Sequence, residues 1–282
     1  MNILILSKNR AAQLDLLIDS LNKNCFKISH ITILYCSTNE NFGQGYQKLL
    51  EYWNDFTSNY PIFFIEQKEE FKKSFLKCLY AHDSKENTFT IGLTDDCIFY
   101  RKKQFTTKDI EDYFDEKTIC CSLRLGINTT IQDPATGYKM SPIPDEENNQ
   151  YFCKWNFRRG PVTQNIYYPV SFDGHIYRTQ NLIEITEKTV FNSLSEWESR
   201  AVMNVRHNLL PQYNKMFCPK LSHVVNVPAN IVQNSLVKGK NPHEISLEEL
   251  NNEFLKGKRL SVRNTMDGIE VNGSHMYIKL KM

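Results

Sequence analysis

Asp95 and Asp96 stand side by side between two strongly apolar stretches, Phe89-Thr90-Ile91-Gly92-Leu93 ahead of Thr94 and Cys97-Ile98-Phe99-Tyr100 behind. Adjacent like charges repel unless a cation or a hydrogen-bond donor holds them. Mg²⁺ and Mn²⁺ prefer oxygen ligands, use one or two protein carboxylates, and leave positions for phosphate oxygens and water. A cation held this way neutralises charge growing on a departing phosphate. The pair therefore suits a reaction whose leaving group is a nucleoside diphosphate. A solvated turn or a helix cap accounts for the same two residues without any chemistry.

A second set of candidates lies about a hundred residues further on. Phe172-Asp173-Gly174-His175 places an acid and a histidine in a loop whose glycine allows close backbone approach to a ligand. Ser195-Glu196-Trp197-Glu198-Ser199-Arg200 reads as the start of a helix with an acid in its first turn. Either acid, Glu196 first and Asp173 as its rival, is a candidate general base; a first-turn Glu also stabilises a helix through the dipole alone. Trp155 and Trp197 are candidate sugar platforms or core residues. Lys238-Gly239-Lys240-Asn241 is a candidate lid over a diphosphate, and His223 or His243 a candidate further metal ligand.

The elements that must position these groups alternate over the first hundred residues. Residues 2–6, 31–35, 61–65 and 89–93 are short apolar runs; between them, residues 13–21, 45–53 and 69–80 repeat apolar positions at helical spacing. Strands joined by helical crossovers imply a mostly parallel α/β sheet covered on both faces, with ligands gathering at the strands' carboxyl ends. Later, residues 120–125 and 151–157 read as strands, separated by a polar stretch rich in turn signals. Residues 195–209 read as a helix, Ser246-Leu247-Glu248-Glu249 as a capping box, and residues 268–282 as a hairpin around Asn272-Gly273.

On these residues the chain resembles GT-A fold, family 2-like nucleotide-sugar glycosyltransferases. Ile3-Leu4-Ile5-Leu6-Ser7-Lys8-Asn9-Arg10, Leu34-Tyr35-Cys36-Ser37 and Leu93-Thr94-Asp95-Asp96-Cys97-Ile98-Phe99 resemble that family's first, second and fourth strands, the last closing on its Asp-x-Asp motif. Cys121-Ser122-Leu123-Arg124-Leu125-Gly126 and the segment Pro169-Val170-Ser171-Phe172-Asp173-Gly174-His175-Ile176-Tyr177-Arg178 are similar to compact GT-A domains of bacteria and large algal viruses. The family motif often begins with Asp where this chain has Thr94.

The resemblance implies a Rossmann-like, mostly parallel sheet flanked by helices with a smaller acceptor-side sheet. It implies a nucleotide-sugar-binding half at 1–100, an acceptor and catalytic half at 101–235, and a tail of helix and hairpin at 236–282, all in one compact unit. Ser7, Arg10, Ser37 and Asp95 would bind the nucleotide, Asp96 the Mn²⁺ or Mg²⁺, and Glu196 or Asp173 would act as base. The implied donor is a nucleoside-diphosphate sugar, UDP-sugar favoured, the acceptor a glycan hydroxyl, and the outcome inversion.

Composition narrows the alternatives. The chain has 282 residues, 34 Lys and Arg against 32 Asp and Glu, and a formal charge of +2, without the basic footprint of a nucleic-acid binder. Its apolar runs fall far short of the roughly 20 residues of a membrane-spanning helix. Its eight cysteines form no CxxC pair, and its N-terminus has no secretory-signal pattern, which together favour the cytoplasm. No GxGxxG or GxxxxGK[ST] sequence appears, which argues against a dinucleotide oxidoreductase and a P-loop phosphotransferase. A non-catalytic nucleotide-sugar or glycan-binding module remains the alternative function.

Overall fold

The structure is a computed structural model describing residues 1–24, 27–55, 60–84, 88–102, 104–134, 136–207, 210–228, 245–261, 266 and 269–277. The candidate lid at 238–241 and His243 lie outside the described residues.

The first part of the chain alternates as its periodicity predicts: β1 (Asn2–Lys8), α1 (Ala11–Asn24), β2 (Ile31–Cys36), α2 (Glu40–Asp55), β3 (Ile62–Glu66), α3 (Phe71–His82) and β4 (Phe89–Thr94). These four strands are mutually parallel. β1 is buried from Asn2 to Ser7 because helices cover both faces. Ile3 and Ile5 enter a core shared with α1 and α2, whereas Leu4 and Leu6 enter a second core on the opposite face.

The second part is more irregular: β5 (Cys97–Phe99), α4 (Thr107–Tyr113), β6 (Thr118–Ser122), β7 (Ile131–Asp133), β8 (Tyr138–Lys139), β9 (Glu147–Asn148), β10 (Phe152–Asn156), β11 (His175–Arg178), α5 (Thr179–Lys188), α6 (Leu194–His207), β12 (Lys215–Pro219), β13 (Val224–Asn226) and α7 (Leu247–Leu255). Among the described residues the large sheet runs β3-β2-β1-β4-β11-β6-β12-β10-β9, with β5–β13 and β7–β8 as small separate sheets. Within the large sheet, β11 and β10 run against the other strands. The fold is thus α/β, a mostly parallel sheet flanked by helices.

Two turns of the architecture matter for the site. The chain moves outward from β1 to β3 and then returns to β4 on the other side of β1, which makes the β1/β4 boundary the point where ligands collect in open α/β sheets. β11, whose first residue His175 falls in the loop expected at 172–175, inserts beside β4 with His175 opposite Gly92. Gly174 enters it at φ +81°, a left-handed conformation that favours glycine, and its N–H donates to the Gly92 carbonyl at 2.8 Å. Asp173 is thereby delivered to the end of β4.

The tail differs from the expected hairpin. Among its described residues, Gly273 and His275 make isolated parallel bridges to Ile131 and Asn226, so this segment pairs with distant parts of the chain. The helix that begins after Ser246 is present, closed by the capping box its sequence announces.

Candidate active site

The carboxyl ends of β1, β2 and β4 open into a cleft of about 760 Å³. Ser7, Lys8 and Arg10 contribute its floor on one side, Thr94, Asp95 and Asp96 on the other, and Asp173, Asn192, Glu198, Asn226 and His275 its far wall. The structure brings Ser7, Arg10, Asp95, Asp96 and Asp173 together, although they are spread over more than half the sequence.

Asp95 is 4% exposed and surrounded by donors. Ser7 Oγ at 2.9 Å and the Lys8 N–H at 3.2 Å reach Oδ2, and Arg10 Nη1 at 3.1 Å reaches Oδ1. A carboxylate only accepts, so the Ser7 hydrogen goes to Asp95, and Tyr46 must donate in the 2.7 Å contact between its hydroxyl and Ser7 Oγ. The Tyr46 oxygen in turn accepts the Arg10 N–H at 3.2 Å. Burial pushes the Asp95 carboxyl up to about 6, aided by the Asp96 charge and opposed by Arg10 and Ser7. This chain of bonds holds the β1–α1 turn in place. Asn9 adds to it at φ +59°, its side chain exchanging two hydrogen bonds with Thr38 on the neighbouring loop.

Asp96 is more open. Its Oδ1 accepts from Thr94 Oγ1 at 2.7 Å and from Asn226 Nδ2 at 3.1 Å, and Arg10 Nη1 lies 3.5 Å from Oδ2. Across the cleft end, Asp173 Oδ1 lies 2.7 Å from the same Thr94 hydroxyl, and Arg124 Nη1 meets its Oδ2 at 2.9 Å. Burial pushes the Asp173 carboxyl up, but Arg124, His275 and the hydroxyl and amide donors outweigh it and hold the group below its ordinary value.

One atom each from Asp96, Cys97 and Asp173 lies within 4.8 Å of the others, a spacing that a single metal ion can bridge. The chemistry of this donor set suits a hard cation. Burial raises the Cys97 thiol well above its usual range, and a hard cation selects the two carboxylate oxygens over that sulfur. Asp95, Asp96 and Asp173 outnumber the two guanidiniums in contact with them, Arg10 and Arg124. Asn226, buried against Asp96, has a side-chain oxygen with no hydrogen-bond partner among the described residues.

Glu196 and Glu198 separate cleanly. Glu196 does not line the cleft: its carboxylate accepts the Asn192 N–H at 2.7 Å and pairs with Arg200, while its own N–H meets Ser193 Oγ at 3.3 Å. It closes the first turn of α6. Glu198 lines the cleft, where its Oε1 accepts from the Phe172 N–H at 2.6 Å and from Ser171 Oγ at 3.0 Å. Burial and the nearby Asp173 charge push its carboxyl up to about 7. Residues two apart on a helix point about 200° apart, a signal already available for choosing between the two acids.

The remaining described candidates do not line the cleft. Ser37 lies at the end of β2 outside the cleft wall, where Cys36 takes the lining position and Ser37 Oγ faces Gly43 of α2. Trp155 and Trp197 are core residues, Trp155 donating to the Ile166 carbonyl and Trp197 packed edge-on against Phe75 and Phe172. His175 is buried, and His223 lies away from the cleft beside Phe105. Among the described residues the histidine that reaches the cleft is His275, from the tail, with Nε2 3.9 Å from Asp173 Oδ2.

No protein-family model matches the chain, and no curated protein does. Three solved structures from S. aureus are similar to it: TarS, at 15% identity and TM-score 0.46 over 81% of this chain and 36% of that one; TarS 1–349, at 16% and 0.47 over 79% and 60%; and TarS 1–349 in complex with UDP-GlcNAc, at 15% and 0.47 over 79% and 58%. The chain spans less than two thirds of the length of each.

Proposed function

We propose that the chain is a GT-A type glycosyltransferase that moves a sugar from a nucleoside diphosphate, UDP favoured, to a glycan hydroxyl during polysaccharide synthesis. The observation that carries this reading is the placement of Asp96 and its acidic neighbours at the β1/β4 switch point, open to a cleft large enough for a sugar nucleotide. In this reading residues 1–100 bind the donor, residues 101–235 bind the acceptor and carry the base, and residues 236–282 form a tail whose His275 reaches the cleft. The buried free thiols support a reducing, cytoplasmic setting.

Asp96 is the residue that would hold Mn²⁺ or Mg²⁺, and the bound ion would neutralise charge on the leaving diphosphate. Ser7 and Arg10, fixed by Asp95 and Tyr46, orient the donor. Ser37 has no direct part. Glu198 takes the proton as the acceptor oxygen bonds to the anomeric carbon and the bond from that carbon to the diphosphate oxygen breaks, which inverts the centre. Its carboxylate is positioned by Ser171 and Phe172, and Glu196 serves the helix instead.

A panel of UDP- and GDP-sugars, with and without Mn²⁺ and with candidate glycans, assayed for nucleoside diphosphate release, tests the proposal. Metal-dependent release that Asp96→Asn abolishes is the expected result. Binding of a sugar nucleotide without release under any condition would establish the non-catalytic module, which the pairing of Arg10 with both Asp95 and Asp96 favours.

A further inference from the structure

We infer that Asp173 supplies, from the far side of β4, the second carboxylate of the cation site that the acidic motif lacks at position 94. The inference rests on the cation-assisted reading above and assigns Asp173 a different part from that of a base.

Thr94 is the reason to look across the sheet. Its Oγ1 lies 2.7 Å from Asp96 Oδ1 and 2.7 Å from Asp173 Oδ1. A hydroxyl carries one hydrogen, so it serves one of these oxygens at a time, and the two facing carboxylates otherwise rely on the Asn226 amide between them. Asp173 is also aimed. Arg124, whose side chain is 4% exposed, holds Oδ2 at 2.9 Å and leaves Oδ1 on the Thr94 hydroxyl that also meets Asp96. Asp95, the nearest acid in sequence, accepts instead from Ser7, Lys8 and Arg10 on the β1 side, and it is not among the groups whose ligand atoms lie within reach of one ion.

Asn226 is the independent observation that points to a ligand. It is 1% exposed, its backbone is held on both sides by the tail through the Ser274 carbonyl and the Met276 N–H, and its amide oxygen has no partner among the described residues. Its Nδ2 sits 3.1 Å from Asp96 Oδ1 and 3.3 Å from Thr94 Oγ1. Rotating the amide by half a turn exchanges nitrogen and oxygen. The amide oxygen then becomes a possible cation ligand on the spot that Nδ2 holds now, beside the oxygens of Asp96 and Asp173, and the nitrogen takes the place of the orphaned oxygen. All three donors are oxygens, the set that Mn²⁺ and Mg²⁺ select.

The test titrates the full-length protein with Mn²⁺ alone and reads bound metal by electron paramagnetic resonance, so no turnover is required. Asp173→Asn should weaken Mn²⁺ binding by about tenfold or more, since ligand charge tunes affinity at such sites. Adding Thr94→Asp to Asp173→Asn should restore it by returning the carboxylate to the motif, and Thr94→Asp alone should bind Mn²⁺ more tightly than the wild type. A urea midpoint for each variant separates loss of metal from loss of fold; if Asp173→Asn does not fold, the Thr94→Asp comparison decides. Asp173→Asn binding Mn²⁺ like the wild type while Asp96→Asn does not would overturn the inference and spare the cation reading. A wild type that binds no Mn²⁺, alone or with UDP, would overturn both.

Discussion

Glu198 Oε1 accepts the backbone N–H of Phe172 at 2.6 Å, tying α6 to the loop that leads into β11. One carboxylate oxygen is thereby fixed while the residue still lines the cleft. If Glu198 is the base, Glu198→Gln should lower kcat by about 10²- to 10⁴-fold, the usual contribution of a positioned base, and leave donor binding intact. The base must be ionised, and burial with the Asp173 charge raises its carboxyl to about 7. The rate should therefore climb as pH rises through about 7, a limb absent from the variant. The linkage has the opposite sign for folding. The native state holds this proton more tightly than the unfolded chain, whose Glu titrates near about 4.3, so stability falls as pH rises between those values. Urea midpoints across that window should slope less in Glu198→Gln.

Glu196→Gln is the matched control. Its carboxylate serves the Asn192 N–H and Arg200 at the start of α6, outside the cleft. Losing that charge should cost about 0.3 to 1 kcal/mol of stability, the size of a first-turn dipole contribution, with kcat at the wild-type level. A kcat loss comparable to that of Glu198→Gln would reverse the two assignments.

The contrast between these two acids also shows what the sequence makes legible. β1 to β4 and α1 to α3 follow from hydrophobic period, and Asp95 and Asp96 stand out by their position at the end of the fourth strand, whereas Ser7 and Arg10 enter as candidates through the family resemblance. β11 is a four-residue strand behind a glycine, too short for alternation to stand out, and α5 begins at Thr179 behind Arg178, which makes no side-chain cap hydrogen bond. The contacts that depend on those elements are correspondingly hidden. Asp173 meets Thr94 across 79 positions and Asn226 meets Asp96 across 130, separations at which local pattern carries no information. The Tyr46 hydroxyl and the tail's His275 are hidden for the same reason.

Gly92→Ala tests how closely the loop before β11 is pressed onto the sheet. A Cβ at position 92 would lie 2.8 Å from two carbons of the Phe172 ring, inside van der Waals contact. Relief requires Phe172 to move, and its N–H is the one that positions Glu198. Overpacking of this kind costs about 1 to 3 kcal/mol. The expected result is a lower thermal midpoint together with a fall in kcat that exceeds the change in donor KM; a stable variant with wild-type kcat would show that the Phe172–Glu198 bond does not position the acid.

Arg259→Met tests the attachment of the tail without touching the cleft. Asp15 is 1% exposed on α1, and its oxygens accept from Trp53 Nε1 at 2.9 Å and from Arg259 Nε and Nη2 at 2.6 and 2.5 Å. Removing the guanidinium leaves a buried carboxylate without its counter-ion, which should cost about 3 to 5 kcal/mol. Burial already raises the Asp15 carboxyl, with Arg259 and Trp53 opposing it, and in the variant that opposition is weaker. An acid whose native pKa is raised loses stability as pH rises through the range between its unfolded and folded values. Arg259→Met should therefore lose less stability at pH 5 than at pH 8, and Asp15→Asn in the same background should recover part of the loss by removing the stranded charge. Denaturant midpoints of the two variants at both pH values check this, and a loss independent of pH would assign the effect to the packing of Arg259 on the Tyr52 ring, 3.7 Å from its centroid, instead of to the buried charge.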